Sequence, residues 1–128
     1  MKELIIEAKT DTPGIIFKPE MNEFKIFGKS LPEDAKEFYD PILNYLRLYA
    51  EAPNPETVLE INLEYYNSAS VRKLVSILNL FDKISKAGNK VEAVWLYEES
   101  DEVMQENGLD FQDIVTMPFK LKSYELDD

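Results

Sequence analysis

The sequence predicts a single α/β domain over residues 1–128, with a mixed sheet in which a hairpin precedes parallel strands. The 128 residues match the size of one domain, and 45% of them are hydrophobic, which suffices for one core. The first thirty residues have the pattern of a hairpin. Strand-like and helix-like segments then alternate, which is typical of parallel strands joined by right-handed helical crossovers.

The hairpin is predicted from two β-rich runs at residues 15–17 and 24–27, separated by turn-forming residues 19–22. Alternating polar and apolar residues in the second run favour one solvated face. A loop is expected from Gly28 to Glu33, where Pro32 suits the first position of a helix.

The first helix is predicted over residues 35–49, where apolar side chains recur at helical spacing. Pro41 interrupts this pattern because it lacks a backbone donor. Two interpretations stay open: Pro41 kinks one long helix, or it begins a second helix that Asp40 caps.

The second half contains three predicted strands and two predicted helices. After the breaker at 52–55, a strand covers residues 57–63 and a strongly amphipathic helix runs from about residue 71 to an end at Gly88. A strand at 91–97 and a short acidic helix at 100–107 follow. Ser100 is the expected cap of that helix and Gly108 its C-terminal residue. The last strand is predicted at 114–121, on a sheet edge because Pro118 cannot donate to a ladder.

Composition excludes several kinds of function. Asp and Glu number 25 against 14 Lys and Arg, and the formal charge of −11 disfavours nucleic acid and anionic membranes as ligands. The sequence has no Cys and no His, so disulfides, thiolate chemistry and imidazole catalysis are absent. No metal site and no cofactor are therefore expected. The charged N-terminal segment and the lack of a long apolar run predict a cytoplasmic protein.

The segment from Asn67 to Ser70 is the best candidate for a functional site because it joins a predicted core strand to the strongest predicted helix. A helix N-terminus has unpaired N–H groups and partial positive charge, so it accommodates a phosphate attached there. Arg72, four residues after Ser68, could pair with that phosphate. The alternative is an ordinary helix cap, since Asn and Ser are common in that role.

Residues 65–73, with the sequence YYNSASVRK, resemble the signature of the SiaC-type biofilm-regulation phosphoproteins. Two residues depart from that signature: Ser68 stands where the family often has Thr, and Ala69 replaces a common Ser. Further similar segments occur in the same order over nearly the whole chain: Thr12-Pro13, Gly28 with Pro32-Glu33, Phe38-Tyr39 with Pro41-Ile42, residues 94–97, residues 108–111, and Pro118-Phe119.

The resemblance implies a fold similar to the STAS domain of anti-sigma-factor antagonists, with helices mainly on one face of a mixed sheet. It implies a regulatory role without catalysis: a Ser/Thr kinase phosphorylates Ser68 and a PP2C-like phosphatase reverses this. The unmodified form then binds and activates a diguanylate cyclase or another effector. Ser70 is the fallback acceptor, and the expected phosphate or partner contacts are Tyr66, Asn67, Arg72 and Lys73.

Two other functions stay open at this point. The chain could be a constitutive scaffold or adaptor that uses the same face without modification. It could also be a small carboxylate-based enzyme with Glu64 and Glu98 near the carboxyl ends of parallel strands, where α/β sites commonly lie.

Overall fold

A six-stranded mixed sheet forms the centre of the fold, and the computed structural model describes it within residues 1–126. The last two residues of the predicted domain lie outside the described residues. The strands are β1 Leu4–Ile6, β2 Gly14–Lys18, β3 Glu23–Ser30, β4 Glu56–Tyr66, β5 Lys90–Glu98 and β6 Phe119–Tyr124. The helices are α1 Ala35–Glu51, α2 Ser68–Lys86 and α3 Glu102–Gln112.

The strands lie side by side in the order of the sequence. β1, β2 and β3 pair antiparallel, whereas β3, β4, β5 and β6 pair in parallel with one helix in each connection. The short connection between β2 and β3 is a 3₁₀ turn at Pro19–Met21, followed by Asn22 in the left-handed conformation at φ 53°. The predicted hairpin followed by parallel strands is thus confirmed.

One face of the sheet forms the core. Residues that are paired across neighbouring strands point to the same face of the sheet. On this face, two rows of paired apolar side chains cross all six strands. The first row is Leu4, Phe17, Phe24, Leu59, Ala93 and Phe119, and the next is Ile6, Ile15, Ile26, Ile61, Trp95 and Leu121.

All three helices pack on this core face, as the family resemblance implied. Phe24 of β3 contacts Tyr49 of α1 and Phe81 of α2, with ring centroids 4.8 Å and 5.8 Å apart. Trp95 of β5 contacts Phe111 of α3 at 5.2 Å. On the opposite face, residues of β4 such as Val58 and Glu60 are only half-buried.

The α1 helix is continuous through Pro41, so the chain does not begin a second helix there. Asp34 caps this helix by accepting a hydrogen bond from the Glu37 N–H at 3.1 Å. Asp40, the alternative cap, instead forms an ion pair with Lys73 of α2. Pro32 lies before the cap and outside the helix, contrary to the position that its sequence context favoured.

The third helix differs from its prediction at both ends. Asp101, and not Ser100, caps α3, since its carboxylate accepts from the Met104 N–H at 3.1 Å. Gly108 lies inside the helix because it packs against Trp95: a Cβ at this position would come within 2.5 Å of the indole ring. Glycine is therefore needed at position 108 for close packing against Trp95. It does not mark the end of the helix.

The strands at both sheet edges also differ from the sequence analysis. β6 begins at Phe119, five residues later than predicted, because the Asp82 carboxylate accepts from the N–H groups of Thr116 and Met117 and holds that segment in a turn. It is an edge strand, as expected. At the other edge, β1 was missed, since a strand of three residues is too short to show a period.

Candidate functional site

The start of α2 is fixed against the end of β3. Ser30 and Tyr66 are in register at the carboxyl ends of β3 and β4. The next backbone N–H, that of Asn67, donates to the Ser30 carbonyl at 3.0 Å. The helix therefore begins at a defined position on the edge of the sheet.

Asn67 is the N-cap of α2. Its Oδ1 accepts hydrogen bonds from the Ser70 N–H at 3.0 Å and from the Ser70 hydroxyl at 2.8 Å. Ser68 and Ala69 follow in the first helical turn and are both exposed. The N–H groups of a first turn have no acceptor inside the helix, so the surface around Ser68 carries partial positive charge.

Ser70 lies on the opposite side of this turn and has no exposed surface. Its hydroxyl lies 2.8 Å from the Ser30 hydroxyl, which in turn lies 2.5 Å from the Tyr39 hydroxyl. With one proton for each hydroxyl, donation from Tyr39 to Ser30, from Ser30 to Ser70 and from Ser70 to Asn67 satisfies the whole chain. This buried chain joins α1, β3 and α2 beneath the exposed turn, and it keeps the Ser70 hydroxyl out of reach of another protein.

The two basic residues predicted to contact phosphate differ in their surroundings. Arg72 is exposed, and within residues 1–126 its side chain forms no ion pair. Lys73 lies 3.2 Å from Asp40 in an ion pair that joins α2 to α1. Arg72 is thus available to a phosphate on Ser68, four residues earlier, whereas Lys73 already has a partner.

Tyr65 and Tyr66, at the end of β4, face opposite sides of the strand. Tyr65 is 59% exposed. Tyr66 is half-buried and packs edge-on against Trp95, with ring centroids 6.4 Å apart. Burial, together with the negative charge of Asp110, raises the pKa of Tyr66 to about 12, so its phenol stays neutral at physiological pH.

Sequence reasoning missed the buried partners of the site. Ser30 and Tyr39 precede Ser70 by 40 and 31 residues, and they meet it only where β3, α1 and α2 pack together in the fold. It also missed a cleft of about 300 Å³ between α2 and α3 that Tyr66 lines. The helical spacing of residues 107, 110 and 111 on α3, continued by residue 114 in the turn after it, was the signal that could have indicated the cleft.

Among the side chains of residues 1–126, no base is hydrogen-bonded to the Ser68 hydroxyl to activate it as a nucleophile. The two glutamates considered for catalysis do not form a site with it. Glu64 is exposed, and Glu98 accepts a hydrogen bond from Ser100 in its own turn.

Two features of the described residues bear on other kinds of site. Residues 1–126 contain no group of three or more acidic, Cys or His side chains placed to hold a metal ion. No helix in that part of the chain has the length and apolar character needed to cross a membrane.

Comparison with known proteins gives one family. The model of the family described as SiaC family regulatory phosphoprotein matches residues 6–124. An uncharacterised protein of Pseudomonas aeruginosa, strain UCBPP-PA14, is 25% identical over 126 residues, covering 98% of this chain and 99% of that protein.

Solved structures share the fold. SiaC of Pseudomonas aeruginosa superposes with a TM-score of 0.87 at 22% identity, covering 97% of this chain and all of the other. A crystal structure of the diguanylate cyclase SiaD in complex with its activator SiaC, also from Pseudomonas aeruginosa, is a further match. It matches with a TM-score of 0.88 at 23% identity, over 94% of this chain and 99% of the matched chain.

Proposed function

The chain belongs to the SiaC family of regulatory phosphoproteins, and from that premise we propose that it is a protein switch controlled by reversible phosphorylation of Ser68. The observation that carries the proposal is the placement of Ser68: an exposed hydroxyl in the first turn of α2, in a chain whose family is described as regulatory phosphoproteins. A kinase can reach this hydroxyl without opening the fold.

Local electrostatics support Ser68 as the acceptor. Phosphorylation adds about −1.5 to −2 charge at neutral pH. The N–H groups of the first turn and the side chain of Arg72 favour such a charge by position and by sign. The phosphorylated helix is therefore stable. Phosphorylation mainly alters the binding of proteins that dock on this helix.

The buried surroundings of Ser70 argue against it as the second acceptor. A phosphate dianion placed there would lose its hydration and would disrupt the hydrogen bonds to Ser30 and Asn67. We therefore assign Ser70 a structural part in the site, and the proposal rests on Ser68 alone.

We propose three protein partners: a Ser/Thr kinase, a PP2C-like phosphatase, and an effector that the unmodified chain binds. For the effector we propose a diguanylate cyclase, because a protein with this fold is the activator of such a cyclase in a solved complex. The chain itself supplies no catalysis in this scheme. All three partners act on one exposed helix turn, and a cytoplasmic address stays a prediction.

The experiment compares three forms of the protein for binding to the cognate diguanylate cyclase: the unmodified chain, the enzymatically phosphorylated chain, and Ser68→Ala. We expect the unmodified chain and Ser68→Ala to bind with similar affinity and the phosphorylated chain to bind at least about tenfold more weakly, a difference of about 1.4 kcal/mol. Equal affinities of all three forms would favour the constitutive scaffold instead.

A further inference from the structure

A cleft opens beside Ser68, between the first turns of α2 and the last turns of α3. Tyr66, the last residue of β4, and Val71 of α2 form one side of it. Val71 lies three residues after Ser68, and this spacing places the two residues on one face of the helix. The α3 side consists of Asn107, Asp110 and Phe111 of that helix and of Ile114 in the turn after it.

The interior of the cleft is apolar and uncharged. Phe111 is buried, Val71 is half-buried, and the phenol of Tyr66 is neutral at physiological pH. Ile114 stands at the mouth with 47% of its surface exposed. A cleft of about 300 Å³ is at the lower limit of a ligand pocket, and it suits one large side chain of another protein.

Residues of opposite charge lie on the two sides of the cleft. Asp110 lines the α3 side, and Arg72 follows the lining residue Val71 on α2; both are exposed, and in the described part of the chain neither forms an ion pair. Complementary potentials steer two proteins together and fix their register. The surface that fits this cleft therefore has the reverse arrangement of charge.

We infer that the cleft receives one large apolar side chain of the effector, with an acidic residue of the effector facing Arg72 and a basic residue facing Asp110. This inference rests on the proposed function. It also gives a physical reason for release: phosphate on Ser68 lies one helical turn from Arg72, so it competes with the acidic residue of the effector for the same guanidinium.

The test measures the affinity of the cognate diguanylate cyclase for the unmodified chain and for two variants at the cleft. Ile114→Ala removes apolar surface at the mouth, and Asp110→Lys reverses the charge of one rim. Matched controls are Leu48→Ala, at an apolar residue 60% exposed on α1, and Glu20→Lys, at an exposed acid in the turn between β2 and β3. We expect the cleft variants to bind roughly tenfold more weakly and the controls within roughly twofold of the wild type.

A third variant tests the competition for Arg72. Arg72→Gln is expected to weaken binding of the unmodified chain by roughly fivefold and to reduce the additional loss that phosphorylation causes. All three altered side chains are exposed, so the fold is expected to be retained, and circular dichroism checks this.

The outcomes separate the inference from the proposed function. If the wild type binds the cyclase only when unmodified but the cleft variants bind as tightly as the controls, the inference is overturned and the proposed function stands. If neither the wild type nor any variant binds the cyclase, both the choice of effector and the inference fail.

Discussion

Ser68 and Ser70 are two residues apart but have opposite surroundings, because successive residues of a helix point in directions about 100° apart. Ser68 faces solvent at the helix entrance, whereas Ser70 is fully buried and bonded to Ser30 and Asn67. A hydroxyl that already serves as a buried donor and acceptor is costly to modify, and an exposed one is not. The choice between the two serines is therefore a matter of geometry.

The stability of the helix entrance depends on Asn67 more than on Ser68. Asn67→Ala removes the acceptor of two hydrogen bonds and is expected to lower the free energy of unfolding by about 1 kcal/mol. Ser68→Ala removes an exposed hydroxyl and is expected to change it by less than about 0.5 kcal/mol. Urea denaturation of both variants measures this difference. A larger loss for Ser68→Ala than for Asn67→Ala would contradict the assignment of Asn67 as the helix cap.

The titration of Tyr66 reports on the packing beside the site. Burial, and then Asp110, raises the pKa of Tyr66 to about 12 from the ordinary value of 10.0. Below pH 10 its phenol is neutral in both the folded and the unfolded chain. Between pH 10 and 12 only the unfolded chain loses the proton, so the contribution of Tyr66 to stability falls as the pH rises.

The ultraviolet difference between the wild type and Tyr66→Phe should therefore show little tyrosinate up to about pH 11. In the Asp110→Asn background, the tyrosinate signal of Tyr66 should develop at lower pH, because the negative charge of Asp110 that disfavours the phenolate is gone. A difference signal with its midpoint near pH 10 in the wild type would mean that Tyr66 is exposed.

Single elements were predictable where one physical signal dominates. α2 has both a capping residue and a continuous apolar stripe, and the sequence placed its start within three residues of Ser68 and its end at Gly88. α3 has a weaker stripe, and the glycine taken as its end serves close packing against Trp95. Such contacts between elements cannot be predicted from the spacing of residues along the chain.

Asp82 shows how a tertiary contact sets where a strand begins. Asp82 lies on α2 and is 5% exposed, and its carboxylate accepts hydrogen bonds from both backbone and side chain of the segment before β6. Burial by itself raises the pKa of this carboxyl. The hydrogen bonds from Met117 and Thr116, aided by the charge of Lys86, outweigh burial and hold the pKa below its usual 3.8.

Asp82→Ala should therefore lower the free energy of unfolding at neutral pH by about 2 kcal/mol, because the buried Met117 N–H loses its acceptor. This loss should shrink as the pH falls from 3.8 to below the lowered pKa of Asp82 in the folded chain, because the wild-type carboxylate becomes protonated over that range. Denaturant titrations from pH 7 to pH 2 measure it. Lys86→Ala, which removes only an ion pair to an exposed lysine, is the control and should cost less than about 1 kcal/mol. A cost of Asp82→Ala that is independent of pH would contradict this account.

The whole molecule combines parts that the sequence indicates with parts that only folding creates. The mixed sheet, the order of its elements and the exposed helix turn could be predicted, because periodicity, capping residues and a local motif are readable along the chain. The buried chain of hydroxyls and the cleft between α2 and α3 could not. Tyr39, Ser30 and Ser70 meet only because three elements converge at one edge of the sheet.

Net charge also acts at this scale. The chain carries a formal charge of −11, so a phosphate adds little to its overall potential. Its effect must be local, at the positive helix entrance beside Arg72. The proposed switch therefore requires that one defined hydroxyl is modified.

Phosphosite mapping tests this requirement most directly. The wild type, Ser68→Ala and Ser70→Ala are incubated with the cognate kinase and ATP, and intact-mass and peptide mass spectrometry locate the phosphate. We predict one phosphate on Ser68 in the wild type and in Ser70→Ala, and none in Ser68→Ala. Phosphate on another residue, or an unmodified wild type beside an active kinase, would contradict the account.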